Sequence, residues 1–202
     1  MKQKLILITL FLLASLAAVL YDHTDPPKII TVPPSTSPVT LTDIPLPADV
    51  ELTDFSGKTF TLSALRGRVV IVNFWASWCL PCATELPALF AIAADHPDSL
   101  TLLAVSVDDR QENAEKLLAL IKSRQPPGLT VPENTLFAWD PQKQIAQDVF
   151  QTTRYPESYI LGTDGNIKMK IVGDDLAKLR AALAKISDDR DQRSNNKPAA
   201  PR

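Results

Sequence analysis

Both cysteines of the chain lie in one run, Phe74-Trp75-Ala76-Ser77-Trp78-Cys79-Leu80-Pro81-Cys82, directly after the β-branched stretch Val69-Val70-Ile71-Val72. Thiols in a Cys-x-x-Cys pair at the mouth of a helix form a vicinal dithiol. Unpaired backbone N–H groups and the positive end of the helix dipole stabilise a thiolate on the first sulfur, which can then attack another protein's disulfide. A structural bridge across so short a loop would remove little entropy from the unfolded chain. A zinc site needs about four ligands, and the two histidines, His23 and His96, lie outside the run. Redox exchange is therefore the expected chemistry. Cys79 is expected to be the nucleophile and Cys82, one turn deeper, the resolving thiol. No metal and no cofactor are expected.

The rest of the chain sets the context. Its 202 residues leave room for one domain and little more, and 45% hydrophobic residues suffice for a packed core. A net charge of −2, with no basic stripe, argues against nucleic acid as a partner. Lys2 and Lys4 precede the uncharged apolar run Leu5 to Leu20. Two readings compete for residues 1–21: a signal peptide cleaved after small residues such as Ser15 and Ala17, or an uncleaved membrane anchor extended by Tyr21. The anchor is preferred. No cysteine follows the run, which excludes a lipoprotein anchor. The lysines on the short N-terminal side place the remainder outside the cytoplasm, where disulfides persist. Residues 22–48, with Pro26-Pro27, Pro33-Pro34, Pro38, Pro45 and Pro47, read as an extended tether. Residues 49–187 form the domain, and the charged, polar segment 188–202 reads as a disordered tail.

Within the domain, Leu52–Phe55 and Thr59–Leu62 flank Ser56-Gly57-Lys58 as a hairpin. Val69–Trp75, apolar except for Asn73, reads as a buried central strand. A helix follows from Cys79 to about Ala94, with a kink expected at Pro87. Leu100–Val107 is a second buried strand, ending in Asp108-Asp109 as solvent-facing charge. Further helices are expected over about Gln111–Ser123 and Pro141–Phe150, the latter with Ile145, Val149 and Phe150 inward. Ser158–Leu161 and Ile167–Val172 pair around the turn Thr163–Asn166. Asp174 caps a last helix to about Ile186. The order implies an α/β fold with a mixed sheet and a right-handed first crossover.

This topology, with Cys-x-x-Cys after its first central strand, resembles the thioredoxin fold. Three features resemble the TlpA/ResA/DsbE group of exported or membrane-tethered reductases: the hairpin with Leu62-Ser63-Ala64-Leu65-Arg66-Gly67, the run Asn73 to Cys79, and Glu85 with Pro87. Residues 108–150 match that group's strand-helix insertion. The resemblance covers about Leu52 to Ile186. It implies a thiol-disulfide oxidoreductase acting on disulfides of exported proteins, such as apocytochrome c before haem attachment. Electrons would come from a transmembrane reductant similar to DsbD or CcdA. It also implies a cis Tyr155–Pro156 bond facing the dithiol, with Tyr155 offering its backbone to a substrate segment, and a proton-handling role for Glu85. A surface acid that merely favours the helix dipole is the plainer reading of Glu85. Asn73 stands where thioredoxins carry a buried aspartate and cannot titrate, which leaves Glu85 as the better candidate. Trp78, beside Cys79, is expected to be an exposed platform for substrate, and Trp75 to be core. Competing functions are an oxidant or isomerase of protein disulfides and a copper-binding chaperone. The Pro-x-x-x-Thr-x-x-Cys pattern of a thiol peroxidase is missing.

Overall fold

The computed structural model describes residues 41–47, 50–124 and 130–195, all within one compact unit, Ser37–Arg202. Strands β1 (Glu51–Asp54), β2 (Thr59–Thr61) and β3 (Val69–Trp75) precede helix α1 (Leu80–Asp95). Strand β4 (Leu100–Ser106), helix α2 (Gln111–Arg124) and strand β5 (Thr135–Trp139) follow, then β6 (Glu157–Leu161), β7 (Ile167–Val172) and helix α3 (Leu176–Asn195). The strands make one seven-stranded sheet in the order β2-β1-β5-β4-β3-β6-β7. β3, β4 and β5 are mutually parallel, and every other pairing is antiparallel. β3 and β4 are buried along their whole length, as strands covered on both faces must be, which is why they carry no alternating pattern. Phe74, Phe150 and Tyr159 pack edge to face with centroids 4.9–6.0 Å apart, and anchor the sheet centre beneath the end of β3.

Several expectations need correction. Residues 41–47, read as tether from their prolines, lie along the edge strand β7: Ile44 pairs antiparallel with Ile167, and the Thr42 N–H donates to the Lys168 carbonyl at 2.7 Å. An edge strand presents unpaired backbone groups that recruit an extended segment, and Thr42 and Ile44 supply the N–H groups that proline lacks. The apolar run of residues 1–21 and the linker up to Thr40 lie outside the described residues. No helix among the described residues is long and apolar enough to cross a membrane.

β5, Thr135–Trp139, supplies the strand of the insertion over residues 108–150. The helix expected over Pro141–Phe150 is a single π-helical turn, Ile145–Val149, entered through the carboxylate of Asp140, which accepts the Ala146 N–H at 2.8 Å. Phe150 is buried as expected, while Ile145 and Val149 are only half-buried. α1 continues through Pro87 to Asp95. α3 reaches Asn195, so part of the segment read as a disordered tail is helical.

The last helix is capped by Asp175 rather than Asp174: the Asp175 carboxylate accepts the Lys178 N–H at 2.9 Å. Asp175→Ala should therefore cost about 1 kcal/mol. It should lower the denaturant midpoint at unchanged slope, whereas Asp174→Ala should leave the midpoint in place. The β6–β7 turn requires Gly165, whose φ of +84° suits glycine alone at little strain.

Candidate active site

The site forms where the chain leaves β3 and enters α1. Cys79 is the N-cap residue, in extended conformation with φ −92° and ψ 99°, and its Sγ accepts the Cys82 N–H at 3.3 Å. One of the otherwise unpaired N–H groups of the first helical turn thus points at this sulfur. Pro81 occupies that same turn, where a missing N–H costs nothing. The two sulfurs are joined in a disulfide with an S–S distance of 2.06 Å. Cys79 is 6% exposed and Cys82 wholly buried, so a partner can approach only the first.

Glu85 lies one turn beyond Cys82 on the same helix face and is 2% exposed. Its Oε2 accepts a hydrogen bond from Asn73 Nδ2 at 3.0 Å, and the same amide donates to Ser158 Oγ at 2.9 Å. The β3–β6 register brings Asn73 opposite Ser158. Burial pushes the Glu85 carboxyl up to about 7; the Asn73 hydrogen bond opposes the rise and the charge of Asp174 adds to it.

The Tyr155–Pro156 bond is cis. The Pro156 carbonyl accepts the Gly173 N–H at 2.9 Å. The rings of Trp78 and Tyr155 meet edge to face at 5.8 Å. Trp78 is 64% exposed, while Trp75 is fully buried. Burial raises the Tyr155 phenol above its ordinary range, with the charges of Asp140 and Glu157 adding to the effect. Leu80 is exposed as well. Together with Trp78, Pro87 and Leu120 it lines a groove of about 600 Å³ between α1 and α2.

Three buried polar groupings join residues whose pairing the sequence does not show. Asp108, expected to face solvent, is 1% exposed; Asp109 is the exposed member of the pair and bonds Lys143 at 3.1 Å. The Asp108 carboxylate accepts the Ser77 N–H at 2.8 Å, the Ser77 hydroxyl at 2.6 Å and the Ser106 hydroxyl at 2.9 Å. Glu157, next to Pro156, is equally buried, and its Oε2 accepts from Lys170 Nζ at 3.1 Å and Tyr159 Oη at 3.0 Å. Burial alone would lower the Lys170 ammonium, but its bonds to Tyr159 and Glu157 outweigh burial and raise it. The third grouping is Asn73 with Ser158. Only Asn73, a lone amide in an apolar strand, carried a signal in the sequence; the others are brought together by strand register.

The comparisons agree with this geometry. Residues 45–170 match the AhpC/TSA family. The thiol-disulfide oxidoreductase ResA of Geobacillus kaustophilus is 28% identical over 176 residues, covering 85% of this chain and 89% of ResA. The thiol:disulfide interchange protein CycY of Rhizobium leguminosarum bv. viciae is 36% identical over 56% of this chain and 54% of its own length. A crystal structure assigned as the thiol:disulfide interchange protein DsbE of Chlorobium tepidum superposes with a TM-score of 0.60 at 26% identity, covering 73% of this chain and 99% of that one. With a dithiol at the helix mouth, a thioredoxin-type sheet behind it and these relatives, the chain belongs to the AhpC/TSA family and is a thioredoxin-fold thiol-disulfide oxidoreductase of the TlpA/ResA/DsbE type.

Proposed function

We propose that the protein works outside the cytoplasm as a reductant of disulfides in exported proteins, the cysteines of apocytochrome c among its candidate substrates. The observation that carries this reading is the asymmetry of the dithiol: a reachable sulfur at the helix mouth, a buried one behind it, and a protonatable carboxyl one turn further on. In the reduced enzyme the Cys79 thiolate attacks one sulfur of the partner's disulfide. The partner's S–S bond breaks, a mixed disulfide forms, and one partner thiolate leaves. Glu85 takes the proton of Cys82, whose thiolate then attacks Cys79 Sγ. This closes the Cys79–Cys82 bond and releases the partner's second thiolate. Two electrons pass from dithiol to partner. A membrane thiol reductant similar to DsbD or CcdA would reverse the change in the enzyme.

Trp78 serves as the apolar platform in this scheme. Tyr155 and Pro156 offer backbone for strand-like pairing with the partner segment. Residues 1–21 hold the domain at the membrane or export it, through the proline-rich segment that ends at residue 40. The copper-chaperone alternative has little support: His96 stands at the far end of α1, about 24 Å along the helix from Leu80.

The oxidant alternative is separated by one measurement, the equilibrium potential of the Cys79–Cys82 pair against glutathione or dithiothreitol. The expected value lies below about −220 mV, as for a reductant; one above about −150 mV would instead assign an oxidant.

A further inference from the structure

The turn leading into Cys79 is held from a strand end distant in sequence. The turn is closed by the Cys79 N–H bonding the Ala76 carbonyl at 3.1 Å. Within it, Ser77 gives both its N–H and its hydroxyl to the two carboxylate oxygens of Asp108. Asp108 is fixed in its own place. Ser106 Oγ bonds its Oδ2, the Trp139 indole N–H bonds its carbonyl at 2.7 Å, and the Val107 N–H bonds the Trp75 carbonyl at 2.9 Å. A carboxylate hidden from water needs several donors to offset its desolvation, and here two of the three donors on it come from one residue of the active-site turn. Trp78, the next residue, has most of its surface in solvent, and its ring meets that of Tyr155 edge to face at 5.8 Å. A ring this exposed takes much of its direction from its own backbone, which is held at Ser77.

We propose that Asp108 is a positioning residue of the exchange reaction. By gripping Ser77 at two points it fixes the Ala76–Cys79 turn and so presents Trp78 to a partner polypeptide beside the reactive sulfur. This rests on the reading of Trp78 as the platform for protein substrates. A partner protein has to be oriented by that platform, whereas a small disulfide needs only to reach Cys79. Loss of the grip should therefore fall on KM for a protein disulfide and spare a small one.

The test compares insulin with a small aromatic disulfide, using the whole chain. Asp108→Ala should raise KM for insulin about tenfold while the rate with the small disulfide stays within about twofold. Asp108→Asn keeps a carbonyl oxygen for the Ser77 N–H and should return KM to within about threefold of the parent. Ser77→Ala, which loses the hydroxyl bond alone and retains the backbone bond, should fall between the two. It carries the test if Asp108→Ala fails to fold. Equal losses on both disulfides, accompanied by a lowered melting temperature, would reduce Asp108 to a stabilising residue. Unchanged KM in both Ser77→Ala and Asp108→Ala would overturn the proposal outright. A parent enzyme that reduces the small disulfide but never insulin would instead overturn the reading of proteins as its substrates.

Discussion

Cys79→Ser should lower the rate of protein-disulfide reduction by at least about a thousandfold, to the level of buffer alone. The Cys82 N–H points at Cys79 Sγ, so the anionic form of this sulfur gains a hydrogen bond and the favourable end of the helix dipole. A serine hydroxyl at the same point stays protonated at neutral pH and is no nucleophile without a base to activate it. Cys82→Ser should behave differently. Attack by Cys79 still occurs, but nothing resolves the mixed disulfide, so a covalent adduct with the partner accumulates and is visible on a non-reducing gel. The reverse pattern, an adduct with Cys79→Ser and none with Cys82→Ser, would exchange the two roles.

Glu85→Gln should make the oxidised protein more stable and the enzyme slower. In the fold the carboxyl keeps its proton up to about 7, against 4.5 for the ordinary group. Between those values the folded state binds more protons than the unfolded one, so stability falls as pH rises through that window and levels off above it. A shift of this size corresponds to about 3 kcal/mol across the window. Glutamine keeps an oxygen for Asn73 Nδ2 and has no proton to lose. The variant should therefore match the parent near pH 4, lack its decline, and exceed it by about 3 kcal/mol at pH 8. Denaturant midpoints at the two pH values measure this. The same variant should slow resolution by Cys82 about ten- to a hundredfold at neutral pH, as loss of a general base does. Gain of stability with loss of rate is the signature of an acid kept buried for function. An unchanged pH–rate profile would leave Glu85 as a buried acid without a part in the reaction.

The dithiol was legible because its geometry is local. Cys79 and Cys82 are one helical turn apart wherever that helix lies, and the apolar run before them marks a strand that must be buried. Gly57 and Gly165 marked their turns for the same local reason. The burial of Glu85 was not legible. An acid in the second turn of a helix looks the same in sequence whether it meets water or, as here, the amide of Asn73. Local charge misled at Asp108-Asp109: two adjacent acids at a strand end suggest solvent, yet the first turns inward to Ser77 and only the second reaches water. Proline misled at residues 41–47, since a proline-rich stretch can still lend alternate N–H groups to an edge strand.

The amino-acid order by itself thus determined the redox chemistry, the thioredoxin-like order of elements and the place of the cysteine pair at a helix mouth, because each depends on neighbours a few residues apart. Only the tertiary structure decided which polar groups surround the sulfurs. The contacts of Asn73 with Ser158, Ser77 with Asp108 and Glu157 with Lys170 depend on how strands and loops are brought side by side. That arrangement is set by burial of the whole sheet, not by any short stretch of chain.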